Sequence, residues 1–195
     1  MKKLYAKCSF VFLIMIIYFL GAAAQTNPGT VNKKKQPVVR DGQHDFDFEI
    51  GTWKTDLKVL LNPLTDSAKW VSFKGTSVVR KILNGKANVV EFTVSGQAGS
   101  IEGLSLRLYN PHAHQWSLNF SNIRSGILST AAIGEFINGR GEFYNQETIN
   151  SRAVLVKFII SPVNSDTCRF EQSYSDDGGK TWETNWIAVD TRLKE

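Results

Sequence analysis

The chain has 195 residues, 42% of them hydrophobic and 21% charged, a composition that excludes intrinsic disorder and allows one domain with a real core. Its formal charge of +5 belongs to the amino-terminal segment, because Lys2, Lys3, Lys7, Lys33, Lys34, Lys35 and Arg40 all precede Asp41, and from there onward acids outnumber bases. The single-signed basic surface that nucleic-acid binding needs is therefore not expected.

Residues 1–24 read as a signal peptide: a lysine-rich start, an apolar run over 10–20, then Gly21-Ala22-Ala23-Ala24. Cleavage is expected between Ala24 and Gln25, which makes the protein exported, either periplasmic or secreted. The run is shorter than the ~20 residues a membrane-spanning helix needs, so no stable membrane insertion is expected after cleavage. Cys8 precedes the run, where a lipoprotein cysteine would follow it. Residues 25–40, rich in Asn, Thr, Lys and Pro without apolar periodicity, read as a flexible basic linker, and 41–195 as a single domain. Only Cys168 survives cleavage, which rules out an intrachain disulfide.

From His44 the chain alternates apolar and polar residues between Gly, Asn, Pro and Asp clusters, the pattern of an antiparallel sheet. Strands are expected at 53–61, 69–83, 87–95, 101–109, 115–122, 127–137, 141–149, 152–161, 169–175 and 184–191. Asn84-Gly85 between the second and third suits a two-residue hairpin, and Asn138-Gly139 punctuates the chain in the same way. No helix of ordinary length is expected. Roughly ten strands joined by short turns predict an all-β, antiparallel up-and-down barrel, with a β-sandwich as the alternative.

Alternation also assigns faces. Val90, Phe92 and Val94, Leu104, Leu106 and Leu108, and Trp116, Leu118 and Phe120 are expected inside, with Glu91, Arg107 and Tyr109 on the opposite, polar face. If the barrel is wide, Phe92, Leu104, Leu106, Trp116, Leu118 and Phe120 line a ligand cavity. If it is narrow, the same residues are packed core.

Residues His44-Asp45-Phe46-Asp47-Phe48 followed by Gly51-Thr52-Trp53, with Asp177-Gly178-Gly179-Lys180-Thr181-Trp182 and Asn185-Trp186 near the far end, resemble a bacterial calycin-like domain family of unknown function. The resemblance covers essentially the whole domain and implies a calycin-like barrel. Gly51-Thr52-Trp53 is also similar to the lipocalin opening, which implies a latch in which Trp53 closes one barrel end and Arg192 from the last strand packs over its ring. Nitrobindin-like haem carriers share such a barrel but ligate iron through a histidine near the chain end, and no histidine follows His114 here.

The remaining motifs have structural readings. His112 and His114 offer two metal ligands where zinc needs three or four, and they stand in a turn sequence. Asp45, Asp47 and Glu49 alternate with Phe46 and Phe48 as the wet face of an amphipathic segment would. Ser175 to Trp182 matches the Asp-box of sialidase propellers, a hairpin turn remote from catalysis. Nucleophile elbow, P-loop, dinucleotide fingerprint and zinc-protease motif are all missing, so no catalytic residue, metal or cofactor is expected.

Three functions fit these observations: an exported protein binding a small apolar or amphipathic molecule in the barrel, a carbohydrate-binding sandwich with exposed Trp70, Trp182 or Trp186, and an isomerase- or hydrolase-type enzyme using Glu91, Arg107 or Tyr109. The first is the main expectation. Oligomeric state is not legible from the sequence.

Overall fold

The computed structural model describes residues 40–194. The expected signal peptide and nearly all of the linker lie outside the described residues. A 3-10 turn at Asp47–Glu49 leads into β1 (Gly51–Leu61), β2 (Lys69–Ile82), β3 (Ala87–Gly96), β4 (Gly99–Asn110) and β5 (Gln115–Asn122). The second half comprises β6 (Ala132–Ile137), β7 (Arg140–Ile149), β8 (Arg152–Asn164), β9 (Thr167–Ser175) and β10 (Glu183–Arg192). Each strand pairs antiparallel with its sequence neighbours, and β10 pairs with β1, from Trp53 opposite Arg192 to Val59 opposite Trp186, so the sheet closes into an up-and-down barrel. Closure rules out the sandwich alternative. Among the described residues no helix is long and apolar enough to cross a membrane.

Most turns are tight. Asn138-Gly139 and Asn150-Ser151 each connect paired strands through two residues of positive φ, the backbone such hairpins require. Asn84-Gly85 does not form the expected two-residue turn: the last pair is Ile82 with Ala87, and Leu83, Asn84 and Gly85 all take positive φ in a wider loop closed by Lys86 donating to the Leu83 carbonyl. The strand expected at 127–137 begins only at Ala132. Residues 127–131 run instead as an arm beside β5, tied by Ser129, whose amide donates to the Phe120 carbonyl at 2.7 Å. The β5–β6 seam is consequently the shortest in the barrel, three residue pairs from Trp116 with Gly134 to Leu118 with Ala132.

One end is plugged. Phe46 from the 3-10 segment is buried among Trp116, Phe136 and Phe143, meeting the first two edge to face at 4.9 Å between ring centroids. Trp53, Val79, Val90 and Cys168 form a second buried cluster beside it, and Leu57, Phe73, Val94 and Ala188 a third farther along the barrel. The Arg192 guanidinium carbon lies 4.1 Å from the Trp53 ring centroid, and its nitrogens donate to the Ile50 carbonyl at 2.8 Å and the Phe48 carbonyl at 2.5 Å. One side chain thus fastens the last strand to the plugging turn.

The face assignment of β4 is corrected. Leu104 and Leu108 are exposed on the outer wall and Leu106 points the same way, while Arg107 and Tyr109 are buried inside. Register decides this parity: Ser105 stands opposite Val90 and Phe120, and Arg107 opposite Asn88 and Leu118, all of them inward. Gly103 occupies the same inner column, where a Cβ would come within 3.0 Å of both the Phe92 and Phe120 rings. The small inner residues Gly103 and Ser105 give those rings space, and the leucines are left outside.

Candidate functional site

Above the plug the barrel holds a cavity of about 760 Å³. Its walls are apolar and aromatic: Leu57, Val90, Phe92, Leu118, Phe120, Phe158, Phe170 and Trp186. Phe92 and Phe120 stack at 5.9 Å, and Trp186 meets Phe92 edge to face at 6.3 Å. The mouth lies at the other end, between Pro63 of the β1–β2 loop and Ser125, Ile127, Leu128 and Ser129 of the β5–β6 connection. Ile127 and Leu128 are exposed there.

Strand alternation makes the wall, and a bulge alters it once. The β9–β10 register shifts between Thr184 and Trp186, so consecutive residues Asn185 and Trp186 both line the interior before Ala188 and Asp190 resume the period of two.

The floor is polar. Both guanidinium Nη atoms of Arg107 donate to the Glu49 carboxylate, a pair buried on both sides, and the Arg107 plane lies over the Phe46 ring at 4.4 Å. Asp190 accepts from Thr55 Oγ1 at 2.5 Å, and Thr55 shares a 2.7 Å hydrogen bond with Ser77. Burial pushes the Asp190 carboxyl up to about 6, and the Thr55 hydrogen bond opposes that rise only in part. Among the described residues, three of the four charged side chains lining the cavity are acids, Glu49, Glu147 and Asp190, and Arg107 is the cation.

Glu49, Cys168 and Asp190 could each offer a metal one ligand atom, all within 4.8 Å of one another. The set suits a cation poorly. Both Glu49 oxygens already serve Arg107, and burial, followed by the Glu49 and Asp190 charges, pushes the Cys168 thiol far up, away from the thiolate that metal binding or nucleophilic attack requires.

Of the six residues expected to line a cavity, Phe92, Leu118 and Phe120 do. Trp116 is buried in the plug instead, donating its indole N–H to the Gly42 carbonyl at 2.9 Å, and Leu104 and Leu106 belong to the outer wall. Glu91 lies outside with Arg80, and Tyr109 is in the plug, its hydroxyl accepting from the Gly42 amide. The expected wet-face role of Glu49 is overturned as well. A 3-10 turn brings residues three apart to one side, so Glu49 follows Phe46 inward where a strand would have turned it out.

The Asp-box segment is a hairpin organised by Asp177, which accepts from the Thr181 amide and hydroxyl, the Lys180 amide and the Ser175 hydroxyl. These bonds hold its carboxyl well below the usual carboxylate range. Trp182 is half-buried with Lys157 over its ring at 4.3 Å, Trp186 faces the cavity, and Trp70 alone of the three lies exposed.

No protein-family model and no curated protein sequence matches this chain. Among solved structures, one described as bound to DFHBI is 8% identical, with 78% of this chain and 99% of that chain covered and a TM-score of 0.43. A de novo designed fluorescence-activating β-barrel is 11% identical, over 80% of this chain and 100% of its own, with a TM-score of 0.40. A protein of unknown function from the DUF3598 family of Nostoc punctiforme is 6% identical, over 80% of this chain and 100% of its own, with a TM-score of 0.24. Likenesses of this degree say nothing about ligand or chemistry.

Proposed function

We propose that this protein is an exported carrier or sensor that holds one small amphipathic molecule inside its barrel. The observation that carries this reading is the cavity itself, plugged at one end and open at the other, with aromatic walls above a charged, hydrogen-bonded floor. Apolar lining with a few convergent polar groups is the usual make-up of a small-molecule site, and its volume of about 760 Å³ lies within the range such sites occupy. Export follows from the signal-like pattern of residues 1–24 and would place the carrier outside the cytoplasm.

Native mass spectrometry of the protein purified from its own source tests the reading. The expected result is one added mass, in the range of a small organic molecule, that disappears when the protein is denatured. A bare chain that also fails to take up any apolar or amphipathic probe would contradict it.

A further inference from the structure

Asp190 is the charged group of the floor with no cation of its own. Glu49 and Arg107 satisfy each other through two hydrogen bonds, whereas Asp190, 9% exposed, receives one neutral hydrogen bond from Thr55 and forms no ion pair among the described residues. Its other oxygen accepts a long contact from the Cys168 thiol at 4.0 Å, and the Glu49 carboxylate lies within 4.8 Å without supplying a countercharge. A buried carboxylate without a countercharge is costly, and the cavity is the open side from which one could come.

Two further polar atoms of the lining lack a partner, and of these the acceptor, Asn185 Oδ1, suits an amine. Asn185 Oδ1 and Arg107 Nε are buried without hydrogen-bond partners, on side chains that line this cavity and are each only 5% exposed. Asn185 stands in the upper wall, on the same strand as Asp190. The lining therefore offers a carboxylate at the bottom, an unused acceptor above it, and an acidic excess over Arg107.

Resting on the carrier reading above, we propose that the guest is an amphipathic amine whose protonated nitrogen sits at Asp190 and whose apolar part runs up the wall of Phe92, Phe120 and Trp186. From Asp190 to Trp186 is about 13 Å along the strand, the reach of a medium alkyl chain or a fused aromatic system. A fatty acid would meet the free Arg107 Nε, but it would also bring a second negative charge against Asp190. The floor therefore discriminates between head groups that the walls would accept alike.

The test compares n-decylamine, n-decanol and n-decanoate, binding being followed by calorimetry at neutral pH and concentrations below aggregation. The inference predicts that the amine binds at least about tenfold more tightly than the alcohol and that the decanoate is weakest. In Asp190→Asn, which keeps the shape and the Thr55 hydrogen bond, that preference should fall below about twofold while decanol still binds. Retained decanol binding also shows that the variant is folded. Equal binding of all three, tighter binding of decanoate, or an amine preference that survives Asp190→Asn overturns the amine assignment and leaves the carrier reading in place. If none of the three binds, both fall.

Discussion

Arg192 reaches across the β1–β10 closure to stand over Trp53, its guanidinium carbon 4.1 Å from the ring centroid, while the same guanidinium donates to the carbonyls of Phe48 and Ile50. The contact joins the last strand, the first strand and the plugging turn in one place. Trp53→Ala is expected to cost about 3–5 kcal/mol as a truncation of a fully buried aromatic. Arg192→Ala should cost less, and a denaturation double-mutant cycle should return a coupling of about 1 kcal/mol. Additive effects would mean that the stacking contributes nothing.

The Glu49–Arg107 pair is the most deeply buried ion pair of the described residues, with side-chain exposures of 8% and 5%. Removing one partner strands a charge in the barrel, so Glu49→Ala is expected to lose about 3–5 kcal/mol. Replacing both residues together by Met should be much less damaging than the single change, because the cost lies in the uncompensated charge. Chemical denaturation of the three variants checks this ordering.

Asp190 gives stability a definite pH dependence. Its carboxyl titrates near 6 in the folded barrel, above the ordinary unfolded value of about 3.9, so between these points the folded state holds the extra proton. Stability contributed by this group is complete below about pH 4 and lost as pH rises through 6, a change of about 2–3 kcal/mol at about 1.4 kcal/mol per pKa unit. Glu49 and Asp56 add to the rise through their charges, Arg107 opposes it, and the Cys168 thiol faces the carboxyl as well. Asp190→Asn should accordingly be more stable than the parent at pH 8 and about equal to it at pH 4, as read from urea midpoints at the two pH values.

Cys168 is buried and its thiol is held protonated by burial and by the Glu49 and Asp190 charges. Native protein is expected to resist iodoacetamide and disulfide reagents at pH 8, reacting only after denaturation. Rapid modification of the folded form would show that this side of the floor opens to solvent.

The architecture was legible because each strand carries its own punctuation and period. Ten alternating segments between Asn, Gly and Pro turns have few ways to pair, and short connections leave the meander as the simplest. Faces were legible only where chemistry is lopsided. In β5, Trp116, Leu118 and Phe120 oppose Ser117, Asn119 and Ser121, and the apolar set is inside. In β4, three leucines oppose Ser105, Arg107 and Tyr109, and the hydrophobic rule points the wrong way, because the inner column must hold a partner for Glu49 and leave space beside Phe92.

The polar floor was the least legible part. Glu49 turns inward through a three-residue turn whose period differs from that of a strand, and its partner Arg107 is 58 residues away. Asp190 does alternate with Ala188 and Trp186 on the inner face of β10, and that parity was the available signal. An acid among otherwise inward-facing apolar residues marks either a structural network or a ligand contact.

A barrel interior that accepts a guest must take up an apolar probe from solution. The most direct measurement is a titration of the protein with the neutral fluorophore Nile red, read through probe emission and through Trp186, which lines the wall. Ser105, half-buried between Val90 and Phe120, is the place to fill the cavity from inside. Saturable binding of one probe per chain, lost in Ser105→Phe while that variant still unfolds in one cooperative transition, is the predicted result. A probe that fails to saturate, or that binds Ser105→Phe as well as the parent, would contradict it.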